Sequence, residues 1–140
     1  MNNIEIERKY KITKEIYEEI ITTLNQEHLS SKKESQNDIY FSPINFPFLG
    51  GEIDNECLRL RILKDKNILS YKKFIYATKE EPAQCIEHEI EILEPEKIKL
   101  ILEDLRIKEE FTLKKERLSY IYKDKVEISL DQVDNLGYFI

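Results

Sequence analysis

From Ile4 to Ile12 apolar and charged positions alternate: Ile4, Ile6, Tyr10 and Ile12 share one parity, and Glu5, Glu7, Lys9 and Lys11 share the other. A period of two puts successive side chains on opposite faces of an extended chain, so this segment predicts a strand. Thr13 then offers a hydroxyl to cap a helix, with Glu15 near its positive end. Ile16, Ile20, Ile21 and Leu24 supply one apolar stripe as far as about Glu27. A β-rich run follows at 36–41 (QNDIYF), and the two prolines and two adjacent glycines of 42–56 predict an exposed loop.

Alternation returns at 57–63 (CLRLRIL), where Leu58, Leu60 and Ile62 oppose Arg59 and Arg61. The turn KDKN and the run ILSYKKF complete a hairpin. A second loop at 76–84 precedes 86–92 (IEHEIEI), in which Ile86, Ile90 and Ile92 oppose Glu87, Glu89 and Glu91. Pro95 suits the first turn of a helix, and Ile98, Ile101, Leu102 and Leu105 continue its stripe to about residue 106. Two strands, 111–122 and 125–133, meet at a turn over Lys123, Asp124 and Lys125. The order β-α-β-β-β-β-α-β-β, with no helix between most strands, predicts an antiparallel α+β fold rather than a doubly wound parallel sheet.

At 140 residues the chain suits a single domain with a core that needs no disulfide. It is 41% hydrophobic and 36% charged, within the range of folded chains but rich in charge. The net charge of −6 argues against nucleic acid as a partner. No run is long enough to cross a membrane, so no membrane partner is expected. Cys57 and Cys85 lack metal-ligand spacing, and a cytoplasmic protein with free thiols is expected. His28, in a polar stretch after the first helix, reads as a surface residue. His88, on the parity of Ile86 and Ile90, reads as a packing residue, and neither cysteine has the context of a nucleophile.

The informative feature is the charged parity. One half-exposed sheet strand commonly alternates in this way, but here the pattern recurs on at least five strands. If those strands close into a barrel whose apolar parity faces outward onto the helices, the lumen receives Glu5, Glu7, Glu87, Glu89, Glu127 and Asp131. The same parity brings in Lys9, Arg59, Arg61, Lys72, Lys115 and Arg117. Enclosing so many charges is a poor way to stabilise a fold, which points to a ligand. Arg and Lys converging on one space suit a polyanion such as a phosphate ester, and carboxylates two residues apart suit a hard cation, Mg²⁺ or Mn²⁺. Tyr40 is expected to border the ligand.

The segment IEIERKYKI resembles the E-x-E-x-K signature of the CYTH domain, or triphosphate tunnel metalloenzyme, family, with Glu5, Glu7 and Lys9 in its fixed positions. The likeness continues through QNDIYF, LRLRI, LSYKK, EHEIE, LKKERL and VEISLDQVDNLGYF, in order along the chain. QNDIYF and LDQVDNLGYF look most like the class IV adenylyl cyclase branch. The resemblance implies an eight-stranded antiparallel tunnel in a homodimer that binds a triphosphate with two divalent ions. Glu5 and Glu7 would bind metal, and Lys9 would contact the triphosphate or assist the chemistry with Glu7. Arg59, Arg61, Lys72, Lys115 and Arg117 would grip phosphates, while Glu87, Glu89 and Asp131 would support the metal or position the basic groups.

The implied activity is conversion of ATP to cyclic AMP and pyrophosphate. The alternatives are hydrolysis of inorganic, thiamine or nucleoside triphosphate, and binding of a nucleotide or polyphosphate without turnover. Two departures are local: Cys85 stands where a basic residue precedes the second E-x-E of relatives, and Arg106 where a glycine or small residue follows the second helix. Relatives also add an acidic E-x-E strand after the L-G-x-F element. A domain truncated at Ile140, with its last strand missing, is therefore expected.

Overall fold

The structure, a computed structural model, describes residues 4–48, 55–75 and 83–140; the side chains of Ile4, Glu5 and Ala83 lie outside that description. Much of the two expected loops, residues 49–54 and 76–82, lies outside it as well. In chain order the elements are β1 (Ile4–Glu7), β2 (Lys11–Ile12), α1 (Lys14–Gln26), β3 (Ser31–Pro43), β4 (Glu56–Ile62) and β5 (Asn67–Ile75). They continue with β6 (Ala83–Glu91), α2 (Pro95–Asp104), β7 (Ile107–Tyr122), β8 (Val126–Val133) and β9 (Gly137–Phe139). The hydrogen-bonded strand order is β1-β6-β5-β4-β3-β7-β8-β9-β2, a nine-stranded sheet that begins at β1 and ends at β2. Its hairpins are antiparallel, as the alternation predicts.

Where the expected strand 4–12 was continuous, the structure divides it. β1 pairs with β6 and β2 with β9, and residues 8–10 between them are irregular. Tyr10 exchanges two backbone hydrogen bonds with Ile140, at 2.7 and 2.9 Å. The parity argument that placed Lys9 with Glu5 and Glu7 therefore does not carry through the break. Strand β3 is longer than expected, because its first residues, Ser31 to Ser35, carry no apolar alternation to reveal them.

Contacts divide the chain into two compact units, Met1–Arg8 with Asn37–Thr112 and Lys9–Gln36 with Leu113–Ile140. In the first, Ile39, Phe41, Leu60 and Leu102 are buried, with Leu58, Ile62, Leu69 and Ile98 packed around them. These are the apolar parity of β3, β4 and β5 set against the stripe of α2. In the second, Leu24, Tyr120 and Leu130 are buried among Ile20, Ile21, Leu118 and Ile128, so α1 covers the apolar parity of β7 and β8. The buried phenol of Tyr120 donates to Asn25 Oδ1 at 2.9 Å, which removes the cost of an unpaired hydroxyl.

Local chemistry explains the element ends. Thr13 Oγ1 accepts from the Ile16 amide at 3.3 Å and caps α1, as expected. Pro95 opens α2, where its missing amide removes no helical bond. That helix closes at Arg106, whose φ of 62° is the left-handed conformation that commonly ends a helix and that glycine adopts at least cost. Lys123 and Asp124, at φ 50° and 54°, form the primed turn that matches the twist of the β7/β8 hairpin.

Candidate functional site

The first unit carries one polar row beside another on the face opposite its apolar core. Register aligns Tyr40 with Arg59, Arg59 with Ser70, and Ser70 with Glu89. It also aligns Asp38 with Arg61, and Cys57 with Lys72 and Lys72 with Glu87. The cationic side chains on this face are withdrawn from water: Arg59, Arg61 and Lys72 are 12%, 11% and 13% exposed. Ile90, on the apolar parity, is 62% exposed. Withdrawn cations require compensating partners, because desolvation of an unpaired charge costs several kcal/mol, of order. Each cation finds a different one.

Lys72 Nζ lies 3.6 Å from Glu7 Oε2 and 3.4 Å from Glu87 Oε1. One ammonium between two carboxylates leaves this trio, taken by itself, with a formal charge of +1 − 2 = −1. Arg61 makes a two-pronged contact with fully buried Asp38, Nε to Oδ1 at 2.7 Å and Nη2 to Oδ2 at 2.8 Å. Arg59 is held more loosely, with Nη2 4.0 Å from Glu89 Oε1, and its buried Nε has no hydrogen-bond partner. The two arginines, two residues apart and expected to act alike, thus differ: the geometry of Arg61 is fixed by a carboxylate, whereas Arg59 keeps a donor available.

Asp38 was not among the expected site residues, since attention to E-x-E pairs passes over a lone aspartate. Its signal was its place in QNDIYF, at even spacing with Tyr40 on a strand otherwise apolar at Ile39 and Phe41. Tyr40 stacks on Phe111 with centroids 4.7 Å apart. Burial pushes its phenol up from the ordinary range, and the Asp38 charge adds to that effect.

In the second unit, Arg117 grips Asp131 with Nε to Oδ1 and Nη2 to Oδ2, both at 2.7 Å, and Lys115 Nζ adds a third contact to Oδ2 at 3.2 Å. Burial alone would raise the Asp131 carboxyl, but the Arg117 bonds and charge, with those of Lys115, outweigh it and hold the group below its usual range. Two cations on one carboxylate leave this cluster, taken by itself, at +2 − 1 = +1. Glu127, also placed on the charged parity by the sequence, is exposed and accepts hydroxyls from Ser119 and Ser129 at 2.9 and 2.8 Å. Lys9 is exposed in the irregular segment between β1 and β2. Glu5 belongs to β1, and its side chain lies outside the described residues.

Among the described residues no three carboxylate, histidine or cysteine groups form a ready-made metal cage. Mg²⁺ does not require one, since it commonly takes one or two carboxylates together with substrate phosphates and water. Glu7 and Glu87, drawn to the same ammonium, fit that requirement, with Glu89 one step further along β6. Asp131 is engaged by Arg117 and Lys115. His88 is exposed opposite Tyr71, and Cys85 is buried between Phe74 and Glu5 in register. Among the described residues no helix is long and apolar enough to cross a membrane.

The CYTH domain family model matches residues 3–140. Among solved structures, a conserved hypothetical protein from Pyrococcus furiosus is 28% identical, with a TM-score of 0.75 over 96% of this chain and 74% of its own. A Vibrio parahaemolyticus protein described as a candidate adenylate cyclase is 16% identical, with a TM-score of 0.68 over 99% of this chain and 74% of its own. A candidate adenylyl cyclase from Hippeastrum, described as having a dominant triphosphatase activity, is 17% identical, with a TM-score of 0.71 over 99% of this chain and 77% of its own. At such identities the last two attest the fold alone. No curated protein matches the sequence. With the family model spanning residues 3–140, nearly the whole sequence, the chain belongs to the CYTH domain family, a family of metal-dependent triphosphate tunnel proteins.

Proposed function

We propose that the protein binds a triphosphate together with divalent metal ions and converts ATP to cyclic AMP and pyrophosphate. The observation that carries the binding reading is the withdrawn cation set of the first unit, Arg59, Arg61 and Lys72, held beside Glu7, Glu87 and Glu89. Such a set is costly as a stabilising device and is matched by a ligand that is itself an anion escorted by cations. ATP as the substrate rests on the likeness of QNDIYF and LDQVDNLGYF to the class IV cyclase branch.

In this reading Glu5, Glu7 and Glu87 hold the metal, Mg²⁺ or Mn²⁺, with Glu89 supporting it. When bound, the metal supplies Lewis acidity at phosphoryl oxygens and lowers the pKa of a bound hydroxyl. Arg59, Lys72, Lys115, Arg117 and Lys9 bind phosphate oxygens and stabilise the charge that develops on departing pyrophosphate. Asp38 and Asp131 hold Arg61, Arg117 and Lys115 in fixed orientations, so these groups need not reorganise as the phosphate charge shifts. The same reading takes the protein as a cytoplasmic homodimer, which light scattering at micromolar concentration checks.

Product analysis with ATP and Mn²⁺ tests the proposal. Cyclic AMP with pyrophosphate is the expected outcome. Orthophosphate with ADP assigns the protein instead to hydrolysis, with inorganic and thiamine triphosphate as further substrates to assay. Absence of both products, with no binding of any triphosphate, overturns the reading.

A further inference from the structure

Ser70 is 1% exposed, lies on the polar face of β5, and its Oγ has no hydrogen-bond partner. Its neighbour across the β4/β5 pair is Arg59, whose buried Nε also lacks a partner. Two adjacent buried polar groups left unpaired on one row are uncommon, since most such groups are satisfied in folded proteins. On the other side of Ser70 in register is Glu89, which approaches Arg59 Nη2 at 4.0 Å.

The chemistry of the orphaned pair is asymmetric. The guanidinium Nε–H can only donate, and the hydroxyl can donate or accept. One group offering several acceptor oxygens in different directions satisfies both at once, and a phosphoryl group is such a group. We propose that Ser70 is a ligand-contacting residue, its hydroxyl donating to a non-bridging oxygen of the same phosphoryl group that receives Arg59 Nε–H. This rests on the triphosphate reading above and adds a neutral donor to a site otherwise recognised through charge. A neutral donor discriminates by geometry, favouring an oxyanion with acceptor oxygens in several directions over a monatomic ion such as chloride that the cations alone attract.

The test is calorimetric titration of inorganic tripolyphosphate, in Mg²⁺, into wild type, Ser70→Ala and Ser70→Thr, with urea unfolding of each ligand-free protein. A hydrogen bond to a charged group is worth about tenfold or more in affinity, so Ser70→Ala is expected to bind at least about tenfold more weakly. Because it deletes an unpaired buried hydroxyl, its urea midpoint should stay level or rise. Ser70→Thr, which keeps the hydroxyl on a strand-compatible side chain, should recover most of the affinity. Wild-type affinity in Ser70→Ala overturns the inference, as does a loss of affinity that tracks a lowered midpoint, the signature of a merely structural hydroxyl. In either case the triphosphate reading survives. Failure of the wild-type protein to bind tripolyphosphate sinks both.

Discussion

Asp38 and Asp131 each face an arginine through both of its parallel donors, yet they ask different things of experiment. Asp38 is fully buried, so Asp38→Ala leaves the Arg61 charge withdrawn from water without its carboxylate. Breaking a buried pair from one side costs about 3–5 kcal/mol, and urea unfolding should show a loss of that order. Asp131 has a carboxyl held below the ordinary carboxylate value of 3.8. A depressed folded pKa contributes stability that is fully present above the ordinary range and is lost as pH falls through the folded value. Wild type should therefore exceed Asp131→Asn in stability by the most near neutral pH. The gap should narrow as the medium is acidified below about pH 4, which a pH series of unfolding midpoints reads directly. A gap that widens on acidification contradicts the assignment. The Asp38 pair was not legible from sequence, because Asp38 and Arg61 are far apart in the chain and only the β3/β4 register joins them, whereas Asp131 and Arg117 lie on the two strands of one expected hairpin.

At the scale of elements, alternation identified the strands whose two faces meet different surroundings. The hairpin β4/β5 emerged close to its observed limits because it sets Leu or Ile on a helix-covered face against charge on the other, whereas β6 begins at Ala83, three residues before the alternation of 86–92. The first residues of β3, by contrast, are polar on both parities and gave no period to detect. The break between β1 and β2 was equally silent, since alternation survives in the letters across residues where pairing does not. Leu60, fully buried at the centre of the first core, is the direct check on the apolar face. Leu60→Ala should cost about 2–5 kcal/mol of stability, read from denaturant unfolding. Thr13→Ala, which removes the α1 cap, should cost only about 1 kcal/mol. A larger effect from the cap than from the core would contradict the description of α1 and β4.

For the molecule as a whole, the sequence shows an acidic chain, and the structure shows that the acidity does not describe its withdrawn charges. The net charge of −6 coexists with a Lys115, Arg117 and Asp131 cluster of formal charge +1, which an averaged composition conceals. Arg117→Ala should weaken tripolyphosphate binding and flatten its dependence on salt, since one phosphate contact fewer releases fewer ions. Glu7→Gln should reduce metal-dependent turnover more than triphosphate affinity measured without metal. The most direct test of the central claim, that the charged face exists for a triphosphate and its metal, is calorimetric titration of tripolyphosphate with and without Mg²⁺ into wild type and Lys72→Ala. Saturable binding by wild type, tightened by Mg²⁺ and weakened by at least about tenfold in Lys72→Ala, is the predicted result. Absence of binding by wild type, or equal binding by both proteins, would contradict it.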